Sequence, residues 1–371
     1  MRAMAGLQWD LFCRVIDNHG DLGVCWRLAA DLAKRGETVR LWTDDASALV
    51  WMAPSGVSGV SVHRWQDATG AAGDVVVEAF GCDPPARFVQ RMAAGRQPPP
   101  LWLNLEYLSA EDYVRRSHGL PSPQLAGPGV GLTKWFYYPG FVAGTGGLLR
   151  ESDLWSRRQG FDAEAWLPSL GAVAQEGEQC VSLFCYDNPA MPDLLDAFAR
   201  ARTPTLLLCT PGPAWTQVDA LLGPSHRRGA LRAWPLPLLT QVDYDHLLWS
   251  CDLNFVRGED SFVRAQWAGV PFVWQAYRQP EGRHAVKVQA FLDAFLDSLL
   301  VSVLDSSSAA AAPSLAQPLR RIHARWNGLG GAGWQWPEPA AWRSHAAGWR
   351  DTLLAQDDLS TQMLRFVEER R

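Results

Sequence analysis

Two short loops of the chain carry polar residues of the types that do chemistry. The first is Asp17-Asn18-His19-Gly20-Asp21-Leu22-Gly23, in which two carboxylates stand beside two glycines. Carboxylates take up protons and bind cationic groups, and glycine tolerates a positive φ and the close approach of a ligand. Capping of the following helix by Asp17 or Asp21 explains the same pattern, although one acid is enough for a cap.

The second loop is Val256-Arg257-Gly258-Glu259-Asp260-Ser261-Phe262, which lies between an apolar run and a helical pattern. A helix that begins near Asp260 or Ser261 offers unpaired backbone N–H groups and the positive end of its dipole, and both attract phosphate. The carboxylate of Glu259 is of a type able to accept hydrogen bonds from sugar hydroxyls. A plain capping loop is the alternative interpretation.

Other candidates follow predicted strands. One strand ends in the run Phe184-Cys185-Tyr186-Asp187-Asn188. Its side chains are expected either to line a pocket or to pack as an ordinary strand end. Asn104-Leu105-Glu106-Tyr107 ends a strand of the first half, and Tyr277 follows one in the second half. His19 has no second histidine at metal-ligand spacing, and the chain has no CxxC pair, so we expect no metal site.

Alternating apolar runs and helical patterns predict the elements that position these loops. The first half is expected to contain strands Trp9–Val15, Val39–Thr43, Asp74–Phe80 and Pro100–Leu105, with a helix over Leu22–Lys34. The second half is expected to contain strands Cys180–Tyr186, Thr205–Thr210, Leu231–Trp234, Leu253–Val256 and Pro271–Gln275, with helices over Met191–Ala201, Tyr244–Ser250 and Ser261–Ala268.

A length of 371 residues suits two domains. We predict an α/β architecture with one Rossmann-like domain over residues 1–160 and a second over residues 165–340, facing a central cleft. Weak periodicity over Glu151–Glu178 indicates a linker, and residues 341–371 are predicted as terminal helices that pack back across the domain seam. Ligands of such sheets bind beyond the carboxyl ends of the strands.

Composition excludes several classes of protein. A formal net charge of −5 argues against a nucleic-acid partner, and no apolar run approaches the ~20 residues of a membrane span. The seven cysteines are odd in number and several lie in apolar runs, which indicates free buried thiols in the cytoplasm rather than disulfides.

Two features near the end of the chain have no assigned role. Residues 306–313 are of low complexity and predict a surface loop or frayed helix. Five tryptophans follow, which either anchor the terminal helices or form a stacking platform for bases or sugars: Trp326, Trp334, Trp336, Trp342 and Trp349.

The two loops and their surroundings resemble the bacterial protein-arginine rhamnosyltransferases that modify elongation factor P, the EarP family. The resemblance rests on motifs that run in order across most of the chain: Val15-Ile16-Asp17-Asn18-His19-Gly20-Asp21-Leu22-Gly23-Val24, Trp26-Arg27-Leu28-Ala29, Leu41-Trp42-Thr43-Asp44-Asp45, Leu101-Trp102-Leu103-Asn104, Glu106-Tyr107-Leu108-Ser109-Ala110-Glu111, Pro121-Ser122-Pro123-Gln124 and Val256-Arg257-Gly258-Glu259-Asp260-Ser261-Phe262-Val263-Arg264-Ala265-Gln266.

The resemblance implies a GT-B fold and an inverting transfer of L-rhamnose from dTDP-β-L-rhamnose to an arginine of elongation factor P. The second domain is then expected to hold the nucleotide sugar, and the first to bind elongation factor P as a folded protein acceptor. No metal or other cofactor is expected, since a helix start and tyrosine hydroxyls suffice to stabilise the leaving diphosphate.

The resemblance also assigns site residues. Asp21 is implied as the base and Asp17 as its orienting partner, although the sequence alone does not rank the two. Glu259 is implied as a further catalytic residue at the donor loop. Donor contacts are implied for seven residues: Tyr186, Gln241, Tyr244, Glu259, Asp260, Ser261 and Tyr277. His19 and Tyr244 depart from the family pattern, which has an aromatic residue and a phenylalanine at these positions.

Two other functions fit the same fold. One is a sugar-nucleotide enzyme that acts on a small acceptor, which has no need of paired acids directed at arginine. The other is a non-catalytic sugar-nucleotide-binding protein, which the fold alone does not exclude.

Overall fold

The computed structural model describes residues 6–16, 19–95, 97–303, 311–331 and 333–371. The chain divides into two compact units. The first comprises Met1–Leu154 together with Gln356–Arg371, and the second comprises Trp155–Ala355.

The first unit is built on a seven-stranded sheet of order β3-β2-β1-β4-β5-β7-β6. All neighbouring strands are parallel except the edge pair β6–β7. The strands are β1 (Gln8–Cys13), β2 (Thr38–Thr43), β3 (Val60–Arg64), β4 (Val75–Ala79), β5 (Leu101–Leu105), β6 (Pro121–Pro123) and β7 (Thr133–Tyr137). The helices among them are α1 (Gly20–Lys34), α2 (Leu49–Met52), α3 (Ala86–Ala94) and α4 (Asp112–Ser117).

The second unit repeats the design with a six-stranded sheet of order β10-β11-β9-β8-β12-β13, in which only β10 is antiparallel to its neighbour. Its strands are β8 (Gln179–Leu183), β9 (Thr205–Cys209), β10 (Arg227–Arg228), β11 (Leu231–Pro235), β12 (Leu253–Arg257) and β13 (Phe272–Gln275). The helices from the end of the first unit onward are α5 (Leu154–Gln159), α6 (Ala163–Ser169), α7 (Met191–Ala199), α8 (Pro213–Leu222), α9 (Gln241–Ser250), α10 (Asp260–Ala268), α11 (Arg283–Val303), α12 (Ala311–Trp326) and α13 (Pro339–Leu354).

The chain then returns to the first unit through α14 (Leu359–Glu368), which is tied to α1. The guanidinium of Arg35 donates to Asp31 at 2.9 Å, to Asp358 at 2.9 Å and to the hydroxyl of Thr361 at 2.7 Å. Burial raises the pKa of the Asp31 carboxyl. The helix that begins at the acidic loop is therefore braced at its other end.

Strand β4, in the middle of the first sheet, is buried on both faces. Val77 packs in one core with Leu28 of α1 and Met363 of α14, whereas its neighbour Val76 packs in a second core with Phe88 of α3. Such uniform burial is typical of a parallel sheet covered by helices on both sides.

The predicted α/β organisation is confirmed, and the expected strands lie within three residues of the observed ones. The sequence did not predict β3, β6, β7 or β10, and the presumed linker holds α5 and α6. The units divide at residues 154/155 rather than between 160 and 165, and α13 clusters with the second unit while α14 clusters with the first.

The tryptophans near the end of the chain pack within the second unit. Trp334 lies between Trp326, at 6.0 Å between ring centroids, and Trp336, which is stacked at 5.4 Å. Trp349 is buried, and its indole N–H donates to Gln266 at 2.6 Å. The low-complexity segment lies largely outside the described residues, from which 304–310 are missing.

The seven cysteines are free and buried, as predicted. Burial raises the thiol pKa of Cys180 to about 11 and that of Cys185 to about 12. Among the helices of the described residues, none combines the length and apolar character needed to cross a bilayer.

Candidate functional site

In the first unit, the acidic loop lies at the carboxyl ends of three neighbouring strands. It follows β1, which pairs with β4, and β4 in turn pairs with β5. Phe80 and Gly81 follow β4 directly, and Glu106 and Tyr107 follow β5 directly. The residues that the sequence placed at separate strand ends therefore share one edge of the sheet.

Asp21 lies in the first turn of α1 and is 4% exposed. One carboxylate oxygen, Oδ2, accepts a hydrogen bond from the backbone N–H of Ile16 at 2.8 Å. The other, Oδ1, lies 3.5 Å from the hydroxyl of Tyr107, which donates to it. The helix is capped at His19, without a side-chain cap bond, so the capping interpretation does not describe Asp21.

A framework of polar and aromatic contacts holds Tyr107. Its ring stacks on Phe80 with 4.4 Å between centroids and 15° between planes. The backbone N–H of Gly81 donates to the side-chain oxygen of Asn104 at 3.2 Å, and the Asn104 amide donates to Glu106 at 2.8 Å. Asn104 thus connects the turn after β4 to the turn after β5.

Not every predicted residue of this loop is described. Asp17 lies outside the described residues, so its place beside Asp21 stays a prediction. His19, which departs from the family pattern, contacts the indole of Trp51 edge-on at 5.6 Å between ring centroids. The sequence marked Tyr107 only as part of a strand end, because nothing in a linear pattern shows that it reaches Asp21.

In the second unit, Gly258 and Glu259 form the loop that connects β12 to α10, and Glu259 is the N-cap of α10. The Ser261 hydroxyl accepts a hydrogen bond from the backbone N–H of Arg257 at 2.9 Å and donates to the Arg257 carbonyl at 2.5 Å. Since a hydroxyl has one proton, this proton is committed to the loop. The backbone N–H groups of the first turn of α10 are therefore the donors suited to an anion.

The guanidinium of Arg257 packs against two aromatic rings of this site. Its guanidinium lies 4.3 Å from the ring centroid of Phe184 and 4.4 Å from that of Tyr186, and it donates to the Cys185 carbonyl at 3.1 Å. Tyr186 contacts the half-exposed Tyr277 edge-on, with 5.6 Å between ring centroids. The sequence included Arg257 in the loop but assigned it no contact.

Side-chain contacts connect helices α9 and α10 next to the loop before α10. Arg264 and Asp245 form a buried, two-pronged ion pair with N–O distances of 2.7 and 2.8 Å. Gln241, in the first turn of α9, donates to Asp260 at 3.5 Å. Tyr244 has a buried hydroxyl, and burial raises its pKa.

The structure thus brings together the predicted donor residues. Tyr186, Tyr277 and Ser261 are linked through Arg257, and Gln241 meets Asp260 across the two helix starts. Their roles stay predictions. No cluster of three or more histidine, cysteine or acidic residues able to hold a metal occurs in the described part of the chain.

The sequence profile of the Elongation-Factor P (EF-P) rhamnosyltransferase family, EarP, matches residues 9–368. The protein-arginine rhamnosyltransferase of Pseudomonas aeruginosa is 43% identical over 388 aligned positions, which cover 97% of this chain and 99% of that protein.

Two solved structures resemble the chain over nearly its whole length. One that describes EarP-mediated arginine glycosylation of translation elongation factor EF-P matches with a TM-score of 0.65 and 31% identity, covering 98% of this chain and 99% of its own. The glycosyltransferase VinC in complex with dTDP matches with a TM-score of 0.51 and 13% identity, covering 97% and 100%. The second likeness concerns the fold alone, and together they confirm the GT-B class.

Proposed function

The chain belongs to the elongation factor P rhamnosyltransferase family, EarP, and from this membership we propose that it transfers L-rhamnose from dTDP-β-L-rhamnose to an arginine side chain of translation elongation factor P, with inversion of the anomeric centre. As a family member, the chain is a glycosyltransferase of the protein-arginine rhamnosyltransferase type. The donor, the folded acceptor and the stereochemistry are the proposal. We also propose a cytoplasmic location, because translation factors act there.

One observation carries the proposal: Asp21 is a buried carboxylate with a hydrogen-bond donor on each of its oxygens, at the ligand-binding edge of the first sheet. A carboxylate in a fixed orientation suits the planar, two-pronged guanidinium of arginine. A neutral acceptor would use such a group only as a base, whereas arginine also forms a charge-assisted contact with it. The site therefore favours a cationic acceptor.

The same carboxylate supplies the base that the reaction needs. A free guanidinium has a pKa above ~12 and is not nucleophilic while protonated. In the proposed step, a guanidinium nitrogen attacks the anomeric carbon as its proton passes to Asp21. The bond between that carbon and the diphosphate oxygen breaks, and dTDP leaves. Asp17 is proposed to orient the guanidinium beside Asp21.

Departure of dTDP requires stabilisation of negative charge. We propose that the first-turn N–H groups of α10 receive the diphosphate, with Arg257 adding positive charge nearby. Tyr186, Tyr277, Gln241 and the buried Tyr244 complete the donor site, and Glu259 accepts hydrogen bonds from the sugar. This arrangement requires no metal ion.

The proposal is tested by intact-mass analysis of folded elongation factor P after incubation with this protein and dTDP-β-L-rhamnose. Addition of one deoxyhexose is expected, and none is expected with dTDP-glucose or when the donor is omitted. An unchanged mass, with every component folded and dTDP bound, would overturn the proposal in favour of a small acceptor or a non-catalytic protein.

A further inference from the structure

The base of this reaction must be fixed in rotation as well as in position. The terminal torsion of an aspartate is broad and roughly two-fold, so packing around the backbone does not define the plane of the carboxylate. One hydrogen bond holds one oxygen but allows the plane to turn about it. A second donor, on the other oxygen, removes that freedom.

Asp21 has donors of this kind from two separate parts of the first unit. The N–H of Ile16 belongs to the same loop and holds Oδ2 at 2.8 Å. The hydroxyl of Tyr107 comes from the turn after β5, 86 residues away, and faces Oδ1 at 3.5 Å.

Tyr107 is itself held in place. Phe80, on which its ring stacks, has φ +59°, a left-handed conformation that bulky residues rarely adopt. Backbone strain of this kind persists where the surroundings fix it, and it concentrates at functional sites. Here the turn is fixed by the hydrogen bond from Gly81 to Asn104.

From this geometry we propose that Tyr107 is a positioning residue, whose hydroxyl sets the plane of the Asp21 carboxylate for proton transfer. The inference rests on the proposed function of Asp21 as the base. The 3.5 Å separation is long for a hydroxyl–carboxylate hydrogen bond. Catalytic hydrogen bonds commonly have such lengths without substrate and shorten when it binds.

The direct test is Tyr107→Phe, which removes the hydroxyl and keeps the ring on Phe80. We expect kcat to fall about tenfold, while the KM for dTDP-rhamnose and the melting temperature stay unchanged. Tyr113→Phe is the matched control, because Tyr113 contacts Tyr138 edge-on at 5.7 Å and is expected to retain full turnover.

A double-mutant cycle of Tyr107→Phe and Asp21→Asn tests whether Tyr107 acts through Asp21 or independently of it. If Tyr107 acts through Asp21, adding Tyr107→Phe to Asp21→Asn causes no further loss of turnover. A full tenfold additional loss would overturn the inference, because Tyr107 would then act on the substrate directly. Phe80→Tyr, which keeps the stacked ring, should retain activity that Phe80→Leu loses.

A spectroscopic readout tests the inference even if elongation factor P is not the acceptor. In protein labelled with ¹³C at the aspartate carboxyl carbons, the Asp21 resonance is identified by its loss in Asp21→Asn. We expect that resonance to shift in Tyr107→Phe and to stay unchanged in Tyr113→Phe. An unchanged resonance in Tyr107→Phe would refute the contact, whereas an unmodified acceptor would refute only the proposed function.

Discussion

The substitution Asp21→Asn removes the base with little other change, because the neighbours of Asp21 can also hydrogen-bond to an amide. The side-chain oxygen of asparagine can accept from the N–H of Ile16, as Oδ2 does at 2.8 Å. Its NH₂ group then faces the Tyr107 hydroxyl, which is able to accept as well as donate. The side chain keeps its shape and both of these contacts but does not act as a base.

The expected magnitudes follow from these contacts. Exchanging a charged acceptor for a neutral one costs about 1 kcal/mol of stability, which for a unit of this size lowers the melting temperature by about 2–4 °C. Removal of a general base costs about 10²–10⁴-fold in turnover. The affinity for dTDP is expected to stay unchanged, since the residues proposed to bind the donor belong to the second unit.

Turnover is measured by mass spectrometry of elongation factor P, dTDP affinity by calorimetry and stability by thermal unfolding. Asp153→Asn is the matched control, because Asp153 forms an exposed ion pair with Lys34 at 2.8 Å and such pairs contribute little. Near-normal turnover in folded Asp21→Asn would show that the base lies elsewhere. A large loss of dTDP affinity would instead assign Asp21 to the donor.

Three other predictions concern the second unit. Transfer should survive excess EDTA, and loss of activity that magnesium or manganese restores would contradict stabilisation of the leaving group by α10. Arg257→Met should weaken dTDP binding about tenfold by calorimetry, because the guanidinium orders two aromatic rings and adds charge; unchanged affinity would exclude Arg257 from the site. Burial lowers the pKa of His345 to about 4, below its unfolded value of ~6.5. As the pH drops from ~6.5 to about 4, the unfolded chain therefore binds the proton while the folded chain does not, and the free energy of unfolding falls. In urea unfolding at a series of pH values, His345→Gln should reduce the slope of the unfolding free energy against pH by up to about 1.4 kcal/mol per pH unit. An unchanged slope would contradict the lowered pKa of His345.

The strands predicted correctly have a strong local signal. Val75–Ala79 and Thr205–Cys209 are buried at every position, so an apolar run between helices identifies them. Three of the four missed strands, β3, β6 and β10, lie at sheet edges, where burial does not enforce such a pattern. The fourth, β7, pairs with β5 and β6 but is fully buried only at Tyr137. Val60–Arg64 is mostly exposed, and Pro121–Pro123 has prolines at both ends, which a strand tolerates at an edge.

In the site, too, the sequence predicts what depends on neighbouring residues and misses contacts between residues far apart in the chain. Asp21 and the start of α10 each lie where the chain passes from a strand into the next helix, so the order of elements was enough to place them. The contact from Tyr107 to Asp21 depends on the pairing of β1, β4 and β5 and on the turn at Phe80. The position of the Arg257 guanidinium depends on its rotamer, which no sequence pattern specifies.

The chemical structure of the product tests the central claim most directly. We propose nuclear magnetic resonance spectroscopy of the modified peptide isolated from elongation factor P after reaction with dTDP-β-L-rhamnose. Inverting transfer by Asp21 predicts a single L-rhamnose, α-linked to a guanidinium nitrogen of arginine. A sugar on another type of side chain, or a β-linkage to arginine, would contradict the account.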